Sequence, residues 1–144
     1  MIKENKEKIM VFGTFDGLHK GHLNFFKQAR SLSVKPFLVV SVARDKNVFK
    51  IKKEMPVLNE KARLLLIKQC SLVDRAILAG LDDHIAHIIK ESPDIIALGY
   101  DQEAYVDNLE SDLKNKGLKV KIVRLKPYME KIYKNHLLKN KGKL

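Results

Sequence analysis

Val11-Phe12-Gly13-Thr14-Phe15-Asp16-Gly17-Leu18-His19-Lys20-Gly21-His22 is the stretch whose reading decides the fold. Ile9 to Phe12 is an apolar run suited to a strand buried on both faces, and Gly13 breaks it. From there Leu23, Phe26, Ala29 and Leu32 recur at helical intervals. A helix is therefore predicted to begin near His19, with its free N–H groups close to the turn. A helix N-terminus beside a Gly-rich turn is a natural phosphate site. His19 and His22 fall on one face of the first helical turn, and Gly21 between them carries no side chain to block close approach. An anion could sit there against backbone, two imidazoles and the helix dipole together.

A pair of histidines at i and i+3 is more often a solvated face or a structural pair. Position argues against that here, because Gly13-Thr14-Phe15-Asp16 stands just upstream at a strand-to-helix junction and packing alone does not call for this combination. Zinc is the rival chemistry. Two histidines without a third or fourth ligand nearby make an incomplete set, so no metal site is expected.

The rest of the chain continues the alternation. Pro36 sets the start of a second strand, Phe37 to Val42, and Arg44-Asp45-Lys46 follows its carboxyl end. In an open parallel sheet the ligand crevice lies outside the carboxyl ends of the strands, so this triplet faces the same cleft as the first motif. Lys50, Lys52 and Lys53 come next in a weakly periodic segment read as a loop, its lysines either solvated or held over the cleft to meet phosphate. Asn59 is an N-cap for a helix running to Cys70, and Arg63 lies early in it, where a surface salt bridge is the plain reading. Val73 to Leu78 is the third strand. Asp82 or Asp83 starts a helix through Ile85, Ile88 and Ile89; its His84 and His87 lack an intervening glycine and read as a solvated face or packing rim.

Ile95 to Leu98 is the fourth strand, ended by Gly99, so Gly99-Tyr100-Asp101-Gln102 emerges at the cleft edge beside the first motif. Asp101 has a helix cap or loop brace as its plain role. Tyr105, Leu109 and Leu113 mark a further helix stopped at Gly117, and Lys119 to Leu125 is the fifth strand. Strands and helices alternating with crossover-length connections predict an α/β domain: a five-stranded parallel sheet with helices on both faces. No G-x-G-x-x-G is present, which argues against a conventional dinucleotide-binding dehydrogenase.

At 144 residues and 45% hydrophobic content the chain fits one domain, expected over 1–125 with a basic tail over 126–144 that packs on it or closes it. Cys70 is the only cysteine, so no internal disulfide forms, and it reads as a small buried hydrophobe. The charged N-terminus lacks a signal-type apolar segment and no apolar run is long enough to cross a bilayer, so a cytoplasmic location and no membrane partner are expected. The formal charge of +11 suggests an anionic partner without saying which. A nucleic-acid partner is disfavoured, since the tail's six lysines are accompanied only by Tyr128 and Tyr133 rather than by Arg-rich or aromatic platforms.

Gly13-Thr14-Phe15-Asp16 followed by His19-Lys20-Gly21-His22 resembles the G-T-F-D-x-x-H-x-G-H signature of the small nucleotidylyltransferases, the cytidylyltransferase-like superfamily. The resemblance runs from about Lys8 to Leu125. Within it, Val42-Ala43-Arg44-Asp45 and Leu98-Gly99-Tyr100-Asp101-Gln102 resemble archaeal-type FAD synthetases more than glycerol-3-phosphate cytidylyltransferases. The resemblance implies a Rossmann-like nucleotidylyltransferase fold and transfer of a nucleoside monophosphate from a triphosphate to a phosphorylated acceptor, with release of pyrophosphate. The substrates implied are ATP and FMN first, CTP with glycerol 3-phosphate second, with magnesium accompanying the triphosphate and a homodimer as assembly. A non-catalytic nucleotide- or nucleic-acid-binding protein is the alternative from another class.

It also implies roles. His19 and His22 would donate to the reacting phosphate, with Lys50 and Arg63 as further catalytic groups. Gly13, Thr14, Phe15, Asp16, Gly21, Gly99, Tyr100 and Asp101 would form the nucleotide site, and Lys52 with Asp16 would meet the acceptor. Members commonly carry an Ile-Ser-Ser-Thr or Ser-Thr-Thr segment late in the chain that binds the β and γ phosphates. Ile132-Tyr133-Lys134-Asn135-His136 stands there instead, leaving Asn135 and His136 as the candidates for that contact.

Overall fold

The computed structural model describes residues 5–102 and 108–127. The opening apolar run forms β1 (Glu7–Gly13), followed by α1 (Lys20–Arg30) and β2 (Pro36–Val42). Two helices come next, α2 (Asp45–Lys52) and α3 (Glu60–Lys68), and then β3 (Arg75–Leu78) and α4 (His84–Glu91). β4 (Ile95–Leu98), α5 (Leu109–Asn115) and β5 (Lys121–Arg124) complete the alternation. The expected five strands are all present and all parallel, in the order β3-β2-β1-β4-β5. Tyr105, expected in the helix before the fifth strand, and the tail beyond Pro127 lie outside the described residues.

β1 is central, paired with β2 along its length from Glu7↔Pro36 to Gly13↔Val42 and with β4 through Ile9↔Ile95 and Met10↔Ile96. Because strand side chains alternate, Ile9 and Val11 face one side with Phe26, Ala29 and Ile67 from α1 and α3. Met10 faces the other with Ile88 of α4 and Leu113 of α5. Both faces of the sheet are thus covered, which explains why β1 reads as an unbroken apolar run.

The segment read as a loop carrying Lys50 and Lys52 is the helix α2, closed by Lys53 in the left-handed region at φ 64°. Its periodicity is faint because Val48 is its one buried residue, while Phe49 and Ile51 are exposed. α2 and α3 are locked at their N-termini. The Asp45 carboxylate takes the Glu60 N–H at 3.1 Å, and the Glu60 carboxylate takes the Asp45 N–H at 2.8 Å and the Arg44 Nε at 3.2 Å. Each helix therefore has an acid from the other across its positive end.

Topology places the site. Strand order reverses between β1 and β4, and a crevice opens at the carboxyl ends of strands at such a switch point. Gly13, the 14–19 turn and the N-terminus of α1 border it from one side, and Gly99 to Gln102 from the other.

Candidate active site

The turn after β1 is shaped by one side chain. Phe15 holds φ 53° and turns its ring back over the strand end, where a Cβ on Gly13 would come within 2.5 Å of Phe15 Cζ. Gly13 is therefore required by the folded turn itself. Phe15 is buried, tilted on Phe26 at 5.5 Å and edge-on to His22 at 5.4 Å.

His19 is the N-cap of α1. Its Nδ1 accepts the Gly21 N–H at 3.0 Å, and His22 Nδ1 accepts the His19 N–H at 3.3 Å, so the two imidazoles form a reciprocal capping box. Their rings stack with centroids 3.8 Å apart. With both Nδ1 atoms accepting, each neutral ring carries its proton on Nε2, and two N–H donors are available to an anion. Burial, with His19 alongside, lowers the pKa of His22 to about 4, so at neutral pH it is an uncharged donor. This revises one expectation from sequence. The Gly21 N–H is taken up by the His19 ring, so the imidazoles, more than open helix amides, are offered to phosphate. Gly21 is glycine for a related reason: a Cβ there would lie 2.9 Å from His19 Cε1.

Three cavities meet at Thr14. One of about 450 Å³ lies between α1 and the end of β4, bounded by His19, His22, Gly99, Tyr100 and Asp101. A second, of about 420 Å³, lies on the α2 side of β1. A third, of about 610 Å³, runs from the imidazoles past Asp16 and Lys52 along the segment 54–57. Lys52 borders the second and third. Lys50, expected beside it as a catalytic group, is exposed and borders none of the three, because two residues along a helix is more than half a turn.

Arg63 departs from both sequence readings. It is 0% exposed, and its three guanidinium nitrogens donate to Leu58 O at 3.0 Å, Thr14 O at 2.7 Å and Asp45 Oδ1 at 2.6 Å. It is a buried clasp joining the Thr14 turn to α2 and α3, and it borders none of the three cavities. Asp16 has a similar office at the surface. Its carboxylate takes the N–H groups of Leu58 at 2.7 Å and Val57 at 2.6 Å, which hold its pKa below the usual range.

Sequence reasoning missed several residues. Gln102 receives the Gly99 N–H at 2.7 Å and donates to Phe12 O at 2.9 Å, tying the β4 turn to the end of β1. Arg124 donates to the carbonyls of Gly99 and Gln102, each at 2.8 Å, and fixes the same turn from β5. Gln28 accepts from Lys126 N at 2.9 Å and donates to Lys126 O at 2.7 Å, holding the end of the described chain at the cavity rim. All pair with backbone, and such pairings leave no spacing signature. His84 and His87 are not a solvated face. His84 lies against Phe12 at 5.3 Å and borders the second cavity, and His87 Nε2 is 2.9 Å from Ser41 Oγ; burial lowers both pKa values. Asn135 and His136 lie outside the described residues. Among the described residues no group of three or more His, Cys, Asp or Glu converges on a metal position, and no helix is long and apolar enough to cross a membrane.

Known proteins agree with this architecture. The family model described as cytidylyltransferase-like matches residues 10–138. An FAD synthase of Korarchaeum cryptofilum is 46% identical over 123 residues, 85% of this chain and 83% of that protein. One from Aciduliprofundum boonei is 42% identical over 121 residues, 84% and 79% of the two chains. A crystal structure from Thermoplasma volcanium, described as a lipopolysaccharide core biosynthesis protein, superposes with a TM-score of 0.78 at 40% identity, covering 85% of this chain and 98% of that one. With its parallel sheet, its imidazole-capped helix and these relatives, the chain belongs to the cytidylyltransferase-like family of nucleotidylyltransferases.

Proposed function

We propose that the chain makes FAD from FMN and ATP. The observation that carries this is the pair of Nε2–H donors bordering two of the three cavities that meet at Thr14, in a chain whose relatives are named FAD synthases. ATP occupies the cavity between α1 and β4, its nucleoside against Gly99 to Asp101 and its α-phosphate at His19, His22 and Thr14. An oxygen of the FMN phosphate attacks the α-phosphorus. The new P–O bond forms as the bond to the bridging oxygen breaks, and pyrophosphate leaves with that electron pair.

The nucleophile is already ionised at neutral pH, so no strong general base is needed. Alignment and stabilisation of charge on the α-phosphate suffice, and the two imidazole N–H donors provide both. Lys52, shared by two cavities, meets the acceptor phosphate. Among the described residues the carboxylates form no cage for a cation, and Asp16 is engaged by two amides. This fits magnesium arriving on the triphosphate, where it offsets charge on the leaving group. Asn135 and His136, which lie outside the described residues, are proposed as the contacts to the β and γ phosphates. The same reading includes a homodimer, tested by light scattering, and a cytoplasmic enzyme.

The test is a matrix of nucleoside triphosphates against phosphorylated acceptors, read by pyrophosphate release and chromatography of FAD. ATP with FMN is expected to turn over, and CTP with glycerol 3-phosphate is not. His19→Ala is expected to lose at least about 100-fold in kcat. Equal turnover by His19→Ala would reject the role of the imidazoles, and nucleotide binding without turnover of any pair would reject the enzyme.

A further inference from the structure

The second cavity lies on the α2 side of β1, away from the two imidazoles. Its floor is apolar, made by Phe12 of β1, Val48 of α2 and Leu98 of β4. Two large apolar side chains stand at its mouth with much of their surface in water, Ile51 at 58% and Leu81 at 42% exposure. They come from different elements, α2 and the loop after β3, and border one opening. Asn47 provides a polar edge: one amide N–H goes to Gly80 O at 3.2 Å, which keeps the carbonyl oxygen and the other N–H for a further partner. A cavity of about 420 Å³ with an apolar floor and polar side chains in its lining, Asp82 and Asp101 among them, has the size and lining of a small-molecule site.

We propose that this cavity is the ring site of the acceptor, with the planar isoalloxazine of FMN seated on Phe12 and Val48, covered by Ile51 and Leu81, and its pyrimidine edge read by Asn47. The inference rests on the function proposed above and adds where specificity for a flavin resides. Continuity supports it. The cavity shares Thr14 with the imidazole-lined cavity and Lys52 with the third, so a ring placed here directs its phosphate tail to the reacting centre. A glycerol phosphate, with no apolar body, would leave Ile51 and Leu81 in water. A flat heteroaromatic covers them both, and the polar atoms on its rim suit an amide that can donate and accept.

Ile51→Gln and Leu81→Gln test the assignment, and because both side chains are exposed the fold is expected to tolerate the change, checked by an unchanged Tm. Each is expected to raise the KM for FMN about tenfold with the KM for ATP unmoved. Riboflavin, which has the ring and no phosphate, is expected to compete with FMN but not with ATP, and its fluorescence should be quenched by the parent protein and less by either variant. An unchanged KM for FMN in both folded variants, or riboflavin competing with ATP instead, would overturn the ring site and leave FAD synthesis standing. Absence of FAD formation by the parent would overturn the proposed function, and the riboflavin titrations would still decide whether the cavity takes the ring.

Discussion

Gly21→Ala separates the chemistry of the capping box from its contribution to stability. The added Cβ would stand 2.9 Å from Cε1 and 3.1 Å from Nδ1 of His19, so the imidazole must swing away. Swinging breaks the 3.0 Å bond from Gly21 N and the 3.8 Å stack on His22. Loss of a side-chain N-cap costs about 1 kcal/mol. Alanine in place of glycine in a helix returns something under about 1 kcal/mol, so net stability should change by less than about 1 kcal/mol. For a chain of this size that is a Tm shift of only a few degrees, on the order of 4 °C at most.

Turnover should respond quite differently. One of the two oriented donors no longer points at the reacting phosphate, and losing such a donor costs on the order of 100-fold or more in kcat. The assay is steady-state FAD formation beside thermal unfolding of the same preparation. A Gly21→Ala protein that folds like the parent and turns over within a few-fold of it would refute the reasoning, because the cap would then have no part in aiming the imidazole.

Arg63→Met removes the buried clasp and strands Asp45 and Thr14 O without their donor; unfolding in urea is expected to show a loss of about 3–5 kcal/mol, and Arg63→Lys should rescue little because one ammonium cannot span three acceptors. His22 has a folded pKa near 4 against about 6.5 unfolded, so the unfolded chain binds the extra proton between those values. Its contribution to stability is thus complete above about pH 6.5 and declines as pH falls toward 4, and a stability profile in which His22→Gln does not flatten that decline would contradict the assignment. Asp16→Ala should accelerate hydrogen exchange at the amides of Val57 and Leu58, with little change in Tm because the carboxylate is exposed; unaltered exchange at both would show that Asp16 does not anchor the segment.

Periodicity and spacing determined much of this protein. The apolar run at Ile9 to Phe12, the breaks at Gly13 and Gly99 and the alternation of strand and helix patterns were sufficient for a parallel sheet with a turn at the carboxyl end of its central strand. These are local signals, written in neighbours a few residues apart. What only the tertiary structure decided is which long-range partner each polar group meets. Arg63 finds Thr14 and Asp45, Gln102 finds Phe12 O, and His84 finds Phe12, across separations that leave no trace in local pattern. The same limit made α2 read as a loop, since a helix with one buried residue has almost no apolar stripe. Gly21 shows both sides: its place between two histidines was visible in the chain, while the reason for it, room for the His19 ring to cap its own helix, existed only after folding brought ring and backbone together.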